Sequence, residues 1–284
     1  MSSVDYGGAR WSGVTTAAVM RVMREIADEA GATFMVDMAH FAGLVADGVL
    51  DGEFDPVPYA DIVTSTTHKT LRGPRGGMIL CKNHLAEYVD RGCPLVLGGP
   101  LPNVMAAKAV ALREALMPEY RVYARRIVEN ARMLAESLVK QGAKVITGGT
   151  HNHIILIDVR PYGLTGRQAE SALRSTGITV NRNVIPGDTN GPWYTSGIRI
   201  GTPAVTTLGM GTAEMRAIGR ILGEVLHATH PGTGKTESQR LSRFDLAREI
   251  SGQLRSEVEG LLQNYPAYPR VILEDATAES PTGE

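Results

Sequence analysis

Cysteine is scarce in this chain, which holds only Cys81 and Cys93. Neither sits at metal-ligand spacing and two make no disulfide framework, so zinc ribbons and secreted disulfide scaffolds are excluded. Small reduced core thiols and a cytoplasmic setting are expected instead. Charge of one sign is also lacking, since 29 Lys+Arg stand against 30 Asp+Glu with no block of like charge. With no basic stripe to follow a phosphate backbone, nucleic acid is not an expected partner. No window reaches the ~18 consecutive apolar residues of a membrane span. The opening MSSVDYGGARWSG has no apolar core of a secretory leader, so neither membrane nor export is expected. What remains is a globular chain of 284 residues. At ~150 residues per domain it has room for two.

Helical and strand patterns alternate along it. Within residues 16–30, Val19, Met20, Met23, Ile26, Ala27 and Ala30 share one helical face, and Gly31 stands where a C-cap belongs. TFMVD follows, short and nearly all apolar as a central parallel strand should be, and DIVTST and GMILC repeat the type. Helical patterns run through 103–117 and 120–141. A second alternation takes AKVIT, HIILIDV, ITV and SGIRIG as strands, with helices over TGRQAESALRSTG and 212–228. THPGTGKTES reads as a polar linker. Its GTGKT is no phosphate loop, because Thr229 occupies the position five before Gly234 where that motif needs glycine. A helix over 244–262 and a disordered DATAESPTGE complete the reading.

One lysine is out of the ordinary. In TSTTHKTLRGPRGG, Lys69 follows an apolar strand pattern and precedes a glycine-rich turn. Burial there would lower the amine's pKa and expose its lone pair, as a Schiff-base lysine requires; the alternative is a solvated loop lysine. Asp37 closes the preceding strand pattern, and in α/β sheets ligands gather at the carboxyl ends of strands. An Asp and a Lys at neighbouring strand ends suit pyridoxal phosphate, whose aldehyde is held by lysine and whose ring nitrogen is kept protonated by a carboxylate. Taken alone, Asp37 could equally cap the following helix.

The blocks VDMAHFAGLVA, PVPYADIVTSTTHKTLRGPRGG, GGPLPNVMAAKAVALREA and TSGIRIGTPAVTTLGM closely resemble serine hydroxymethyltransferase. The resemblance runs from about Met23 to Ala228, with a weaker echo in LLQNYPAYP. It implies an α/β chain of pyridoxal-phosphate fold type I, aspartate-aminotransferase-like. Residues 1–115 would form a partial large cofactor-binding domain, 116–230 a smaller C-terminal α/β domain with its connecting helix, and 231–284 a linker, helix and tail. By the same resemblance Lys69 is the Schiff-base lysine and Asp37 the partner of the ring nitrogen. His40 adjoins the cofactor's phenolic oxygen, Thr66 lies close to the cofactor, and His68 lines the substrate site.

Arg199 in SGIRIG resembles the arginine that clamps the amino acid's α-carboxylate, a task suited to a planar two-bond donor; a strand-edge ion pair is the alternative. Gly98 and Gly99 resemble a loop that crosses a dimer interface to the partner's cofactor phosphate, and a simple turn is the alternative there. Asn183 and the GPW of Gly191, Pro192 and Trp193 fall where the family binds folate. The implied reaction is reversible transfer of the serine hydroxymethyl group to tetrahydrofolate in a homodimer or higher homo-oligomer. The family chain is longer at its N-terminal side, where its phosphate loop, ring-stacking histidine and proton-handling glutamate lie. A chain without them is expected to hold its cofactor weakly and to associate through open strand edges. A non-catalytic remnant of the fold, and a folate-independent aldolase-like or racemase activity, remain open beside the transferase.

Overall fold

The computed structural model describes residues 19–267. The expectations for the opening segment and for the tail DATAESPTGE lie outside these residues, as does that for the Cys93 side chain. The first unit begins with α1 (Met20–Glu29), β1 (Met35–Asp37), α2 (Ala42–Ala46), β2 (Ile62–Thr66) and β3 (Gly77–Cys81). It continues with α3 (Ala86–Leu95), α4 (Pro102–Ala115) and the long α5 (Pro118–Lys140). Gly31 has φ +61°, the left-handed C-terminal stop that its position after the apolar face predicts. Proline opens both α4 and α5 in their first turn, where its missing N–H costs nothing.

β1 pairs parallel with β2, and Asp37 stands opposite Thr64. β3 runs antiparallel to β2, which corrects the expectation of a third parallel strand. The reason is the connection: residues 67–76 fold back on themselves, with Thr67 N–H donating to Gly76 O at 3.0 Å, and carry no crossover helix. Nor is β1 central. Among the described residues it lies at one edge of the three-stranded sheet, and Met35 on it is 56 % exposed.

Beyond α5 come β4 (Lys144–Val145), β5 (Ile154–Asp158), α6 (Gly166–Ser175), β6 (Asn181–Asn183) and β7 (Gly197–Gly201). α7 (Pro203–Thr207), α8 (Thr212–Ala228), β8 (His230–Pro231), α9 (Glu237–Ser242), β9 (Phe244–Asp245) and α10 (Arg248–Gln263) follow. The second sheet has the order β4-β5-β7-β6 and all its pairs are antiparallel. The strand expected at ITV starts at Asn181 instead, where the ladder with β7 runs from Asn181 to Asn183.

Two apolar cores result. One gathers Phe34, Leu44, Val63 and Leu71; the other gathers Ile155, Ile157, Leu173, Ile198, Leu222 and Leu226. α5 serves both, with Tyr120, Ala124 and Ile127 in the first and Leu134 and Leu138 in the second. THPGTGKTES is more ordered than a linker. Thr236 caps α9, and Gln168 Nε2 of α6 donates to the carbonyls of Arg240 and Arg243, each at 2.7 Å. The helix expected over 244–262 begins only at Arg248, because Phe244 and Asp245 pair with the β8 residues. Leu254 and Val258 of α10 enter the second core.

Candidate active site

A cavity of about 600 Å³ lies between the first sheet's loops and the second sheet. Lys69, His68 and His40 line it from one side, Arg199 and Asn181 from the other. Each is placed by a backbone device readable in its neighbourhood. Lys69 and His68 stand at the start of the return loop after β2. Arg72 N–H closes on Lys69 O at 2.9 Å, and Gly73 N–H closes on Thr67 O at 2.7 Å. A Cβ on Gly73 would come within 2.8 Å of that Thr67 carbonyl, so the turn requires glycine. Thr67 Oγ1 donates to Pro74 O at 2.6 Å, and Gly76 N–H reaches His68 Nδ1 at 3.5 Å. Arg72 adopts φ +59°, rare for a side chain with a Cβ, and its guanidinium lies 4.6 Å from the Tyr123 ring centroid. A residue with a Cβ persists in that conformation only where its surroundings hold it there, here the turn closed on Lys69 O and the Tyr123 ring.

Asp37 ends β1 and its Oδ1 accepts from Ala39 N–H at 2.9 Å, an Asx turn that bends the chain toward His40. Thr66, at the end of β2, donates from Oγ1 to Ala39 O at 3.1 Å. Thr70 Oγ1 donates to His40 O at 2.8 Å and accepts from Gly43 N–H at 3.0 Å. Asp37 and Thr66 are thus tied to the segment that carries His40 without lining the cavity themselves. Asp37 is exposed, and Lys69 is half-buried rather than fully buried as its strand context suggested.

The cavity is electrostatically one-sided. Burial, with Lys69 and Arg199 nearby, pushes His40 down to about 4 against the pull of Asp37. His153, just before β5, is pushed down to about 3 by burial and then by His40, Arg199 and Lys69. Burial also lowers Arg199 from its ordinary value. Both imidazoles are therefore neutral at pH 7 while the Lys69 and Arg199 side chains face the same space, an arrangement that favours an anionic occupant. Arg199 Nε donates to Asn181 Oδ1 at 2.9 Å, which sets the plane of the guanidinium.

The other expected site residues lie elsewhere. Gly98 and Gly99 are exposed ahead of α4, and a Cβ on either would meet nothing within 4 Å. Asn183 ends β6, two residues beyond Asn181 and hence on the same strand face. Gly191, Pro192 and Trp193 lie in an exposed loop, where the Arg167 and Arg182 guanidiniums sit 4.7 and 5.0 Å from the Trp193 ring centroid. His153, Asn181 and Tyr123 of the cavity wall escaped sequence reasoning. The one available signal was HNH ahead of HIILIDV's apolar run, since polar residues at the mouth of a buried strand face a site more often than a core.

Comparison with known proteins identifies the family. The family model described as Serine hydroxymethyltransferase matches residues 9–222. Among curated proteins, the serine hydroxymethyltransferase of Salinispora tropica is 59 % identical over 253 residues, 89 % of this chain and 53 % of the relative. That of Treponema pallidum is 57 % identical, covering 88 % of this chain and 44 % of the relative. That of Cutibacterium acnes is 54 % identical, covering 88 % and 51 %. The chain spans about half the length of the curated relatives it matches. With its mixed α/β architecture, its lysine loop after β2 and a match over most of its length, the chain belongs to the serine hydroxymethyltransferase family, of pyridoxal-phosphate fold type I.

Proposed function

We propose that this chain supplies the lysine and carboxylate-clamp side of a pyridoxal-phosphate site for reversible transfer of the serine hydroxymethyl group to tetrahydrofolate, giving glycine and methylenetetrahydrofolate. The observation that carries this reading is the convergence of Lys69, His68, His40 and Arg199 on one cavity from two different sheets. The donor set fits the cofactor: an amine for the aldehyde, neutral imidazoles beside it, and a fixed guanidinium for a carboxylate. When bound, pyridoxal phosphate supplies an electron sink for the bond broken at the amino acid's α-carbon.

The chain's own residues then divide the work. Lys69 would hold the aldehyde carbon, and Asp37, which lies at the strand end beside the cavity and not on its lining, would keep the ring nitrogen charged. His40 would flank the cofactor and His68 the amino acid, while Thr66 would act from behind by holding the Ala39 carbonyl next to His40. Arg199, with its plane set by Asn181, clamps the α-carboxylate and so orients the Cα–Cβ bond. Gly98 and Gly99 offer bare backbone N–H groups to a partner subunit's cofactor phosphate. Leu95, Val96 and Leu101, which flank them and are 83, 80 and 62 % exposed, support reading this loop as a contact between copies in a homodimer or larger homo-oligomer. Asn183 and the loop Gly191, Pro192, Trp193 take the folate, for which an exposed indole with the guanidiniums of Arg167 and Arg182 beside it suits a ligand bearing carboxylates. The free thiol of Cys81 fits a cytoplasmic setting.

Borohydride reduction of protein loaded with pyridoxal phosphate, followed by peptide mapping, should put the pyridoxyl group on Lys69. Label on another lysine overturns the assignment. Serine cleavage that proceeds at the same rate without tetrahydrofolate would move the chain to the aldolase-like class.

A further inference from the structure

The His40 ring has no hydrogen bond among the described residues, although its backbone is fixed by Thr70. What it has is another ring. His153 lies nearly parallel to it, with centroids 6.2 Å apart and planes 17° from each other, within the range of offset stacking. We propose that His153 is a positioning residue for His40, its imidazole acting as a fixed flat wall that sets the angle at which the His40 ring faces the cavity over Lys69. This rests on the reading of His40 as part of the Lys69 site, but the stack itself does not depend on any bound molecule.

The support is rigid. Thr150 Oγ1 donates to Ile154 O at 2.6 Å, Ile154 N–H donates to Asn152 Oδ1 at 2.8 Å, and Thr202 N–H donates to His153 O at 3.2 Å. His153 is 5 % exposed, so its ring has little room to turn. Its Nδ1 is buried with no partner among the described residues, so no hydrogen bond among them from that atom competes with the stack in setting the plane. The groups facing the pair are Lys69, Arg199 and Asp37; burial first, and then the two cations, disfavours a charge on either ring. Two neutral rings stack without repulsion. Because His40 belongs to the first unit and His153 to the second sheet, the stack also makes the His40 ring angle depend on how the two units close on the cavity.

The test is histidine-labelled NMR on the ligand-free full chain. In the unaltered protein, ring protons of His40 and His153 should show a mutual nuclear Overhauser effect and ring-current shifts. His153→Leu should change the pattern of nuclear Overhauser effects from the His40 ring protons to its own backbone and to Lys69, which reports the ring angle, and His153→Phe, which restores a flat uncharged ring, should recover it. His227, edge-on to Tyr162 at 5.0 Å outside the cavity, serves as the internal control and should not move in either variant. No contact between the rings in the unaltered protein overturns the proposal whatever the variants do. So does a folded His153→Leu with an unchanged His40 pattern, or a His153→Phe that behaves as leucine does. Failure here leaves the label on Lys69 untouched, so the two readings fail separately.

Discussion

Asn181 stands opposite Arg199 in the β6–β7 ladder, and its amide oxygen takes the guanidinium Nε at 2.9 Å. If the guanidinium clamps a carboxylate, Arg199→Ala should weaken glycine binding by about 1.5–3 kcal/mol, the worth of a charged hydrogen bond. Arg199→Lys should not rescue it, because a point charge replaces a planar fork. Asn181→Leu should cost less, about 1 kcal/mol, since it loosens the fork without removing it. Calorimetric titration of glycine into cofactor-loaded protein reads all three. Unchanged affinity in Arg199→Ala would place the clamp elsewhere.

Gly43 in α2 has no space for a side chain. A Cβ there would fall 2.4 Å from Tyr120 Oη and 2.5 Å from Thr70 O, and Tyr120 itself donates to that carbonyl at 2.6 Å. Gly43→Ala should destabilise the chain by about 1–3 kcal/mol through overpacking. Adding Tyr120→Phe should relieve little, because the Thr70 carbonyl remains in the way. Urea midpoints of the single and double variants decide; full recovery in the double variant would contradict this account.

Asp37→Asn isolates charge from structure. The amide oxygen can still accept from Ala39 N–H, now held at 2.9 Å by Oδ1, so the turn that presents His40 should persist and stability should change by less than about 0.5 kcal/mol. Exchange of the glycine α-hydrogen with solvent, in cofactor-loaded protein, should fall by at least roughly tenfold because an amide cannot keep a pyridine nitrogen protonated. Retained exchange would refute the proposed partnership.

Stability should also fall as pH drops below neutrality. His40 and His153 sit at about 4 and about 3 in the fold against an ordinary 6.5, so from pH 6.5 down to about 4 the unfolded chain binds protons that the folded chain does not. Each such ring gives a slope of up to about 1.4 kcal/mol per pH unit, with stability rising as pH rises. Asp61 and Asp158 act in a lower window. Burial would raise them, but hydrogen bonds from Lys82, Phe34 N–H and Arg24 on the first, and from Arg160 and Lys144 on the second, hold both below the usual carboxylate range. Their contribution is lost only as pH falls below about 4. His153→Phe should flatten the upper slope in urea titrations from pH 7 to pH 4, and an unaltered slope would remove His153 from the explanation.

Much of this was legible in the linear chain because it is local. The apolar stripe ending at Gly31, the strand of IILID, the crowded glycines after Lys69 and the ordered blocks around Asp37, Lys69 and Arg199 are each set by neighbours within a few residues. Helix periodicity and turn chemistry act over that range, and so does a family's motif. The direction of β3 was not legible, since GMILC is equally apolar whichever way it runs and only the recoil of residues 67–76 decides it.

The same limit hid part of the site. Sequence alone determined that a lysine, an aspartate and an arginine of the right types exist after, at the end of and within strand patterns. Tertiary structure decided which side chains share a cavity: it set His153 against His40 across 113 residues of chain and Asn181 against Arg199 across a ladder, while leaving Gly98, Gly99 and Trp193 on open surface. Contacts of that kind follow from how two sheets pack around α5. Packing depends on the summed shape of both cores, and no short stretch of residues encodes it.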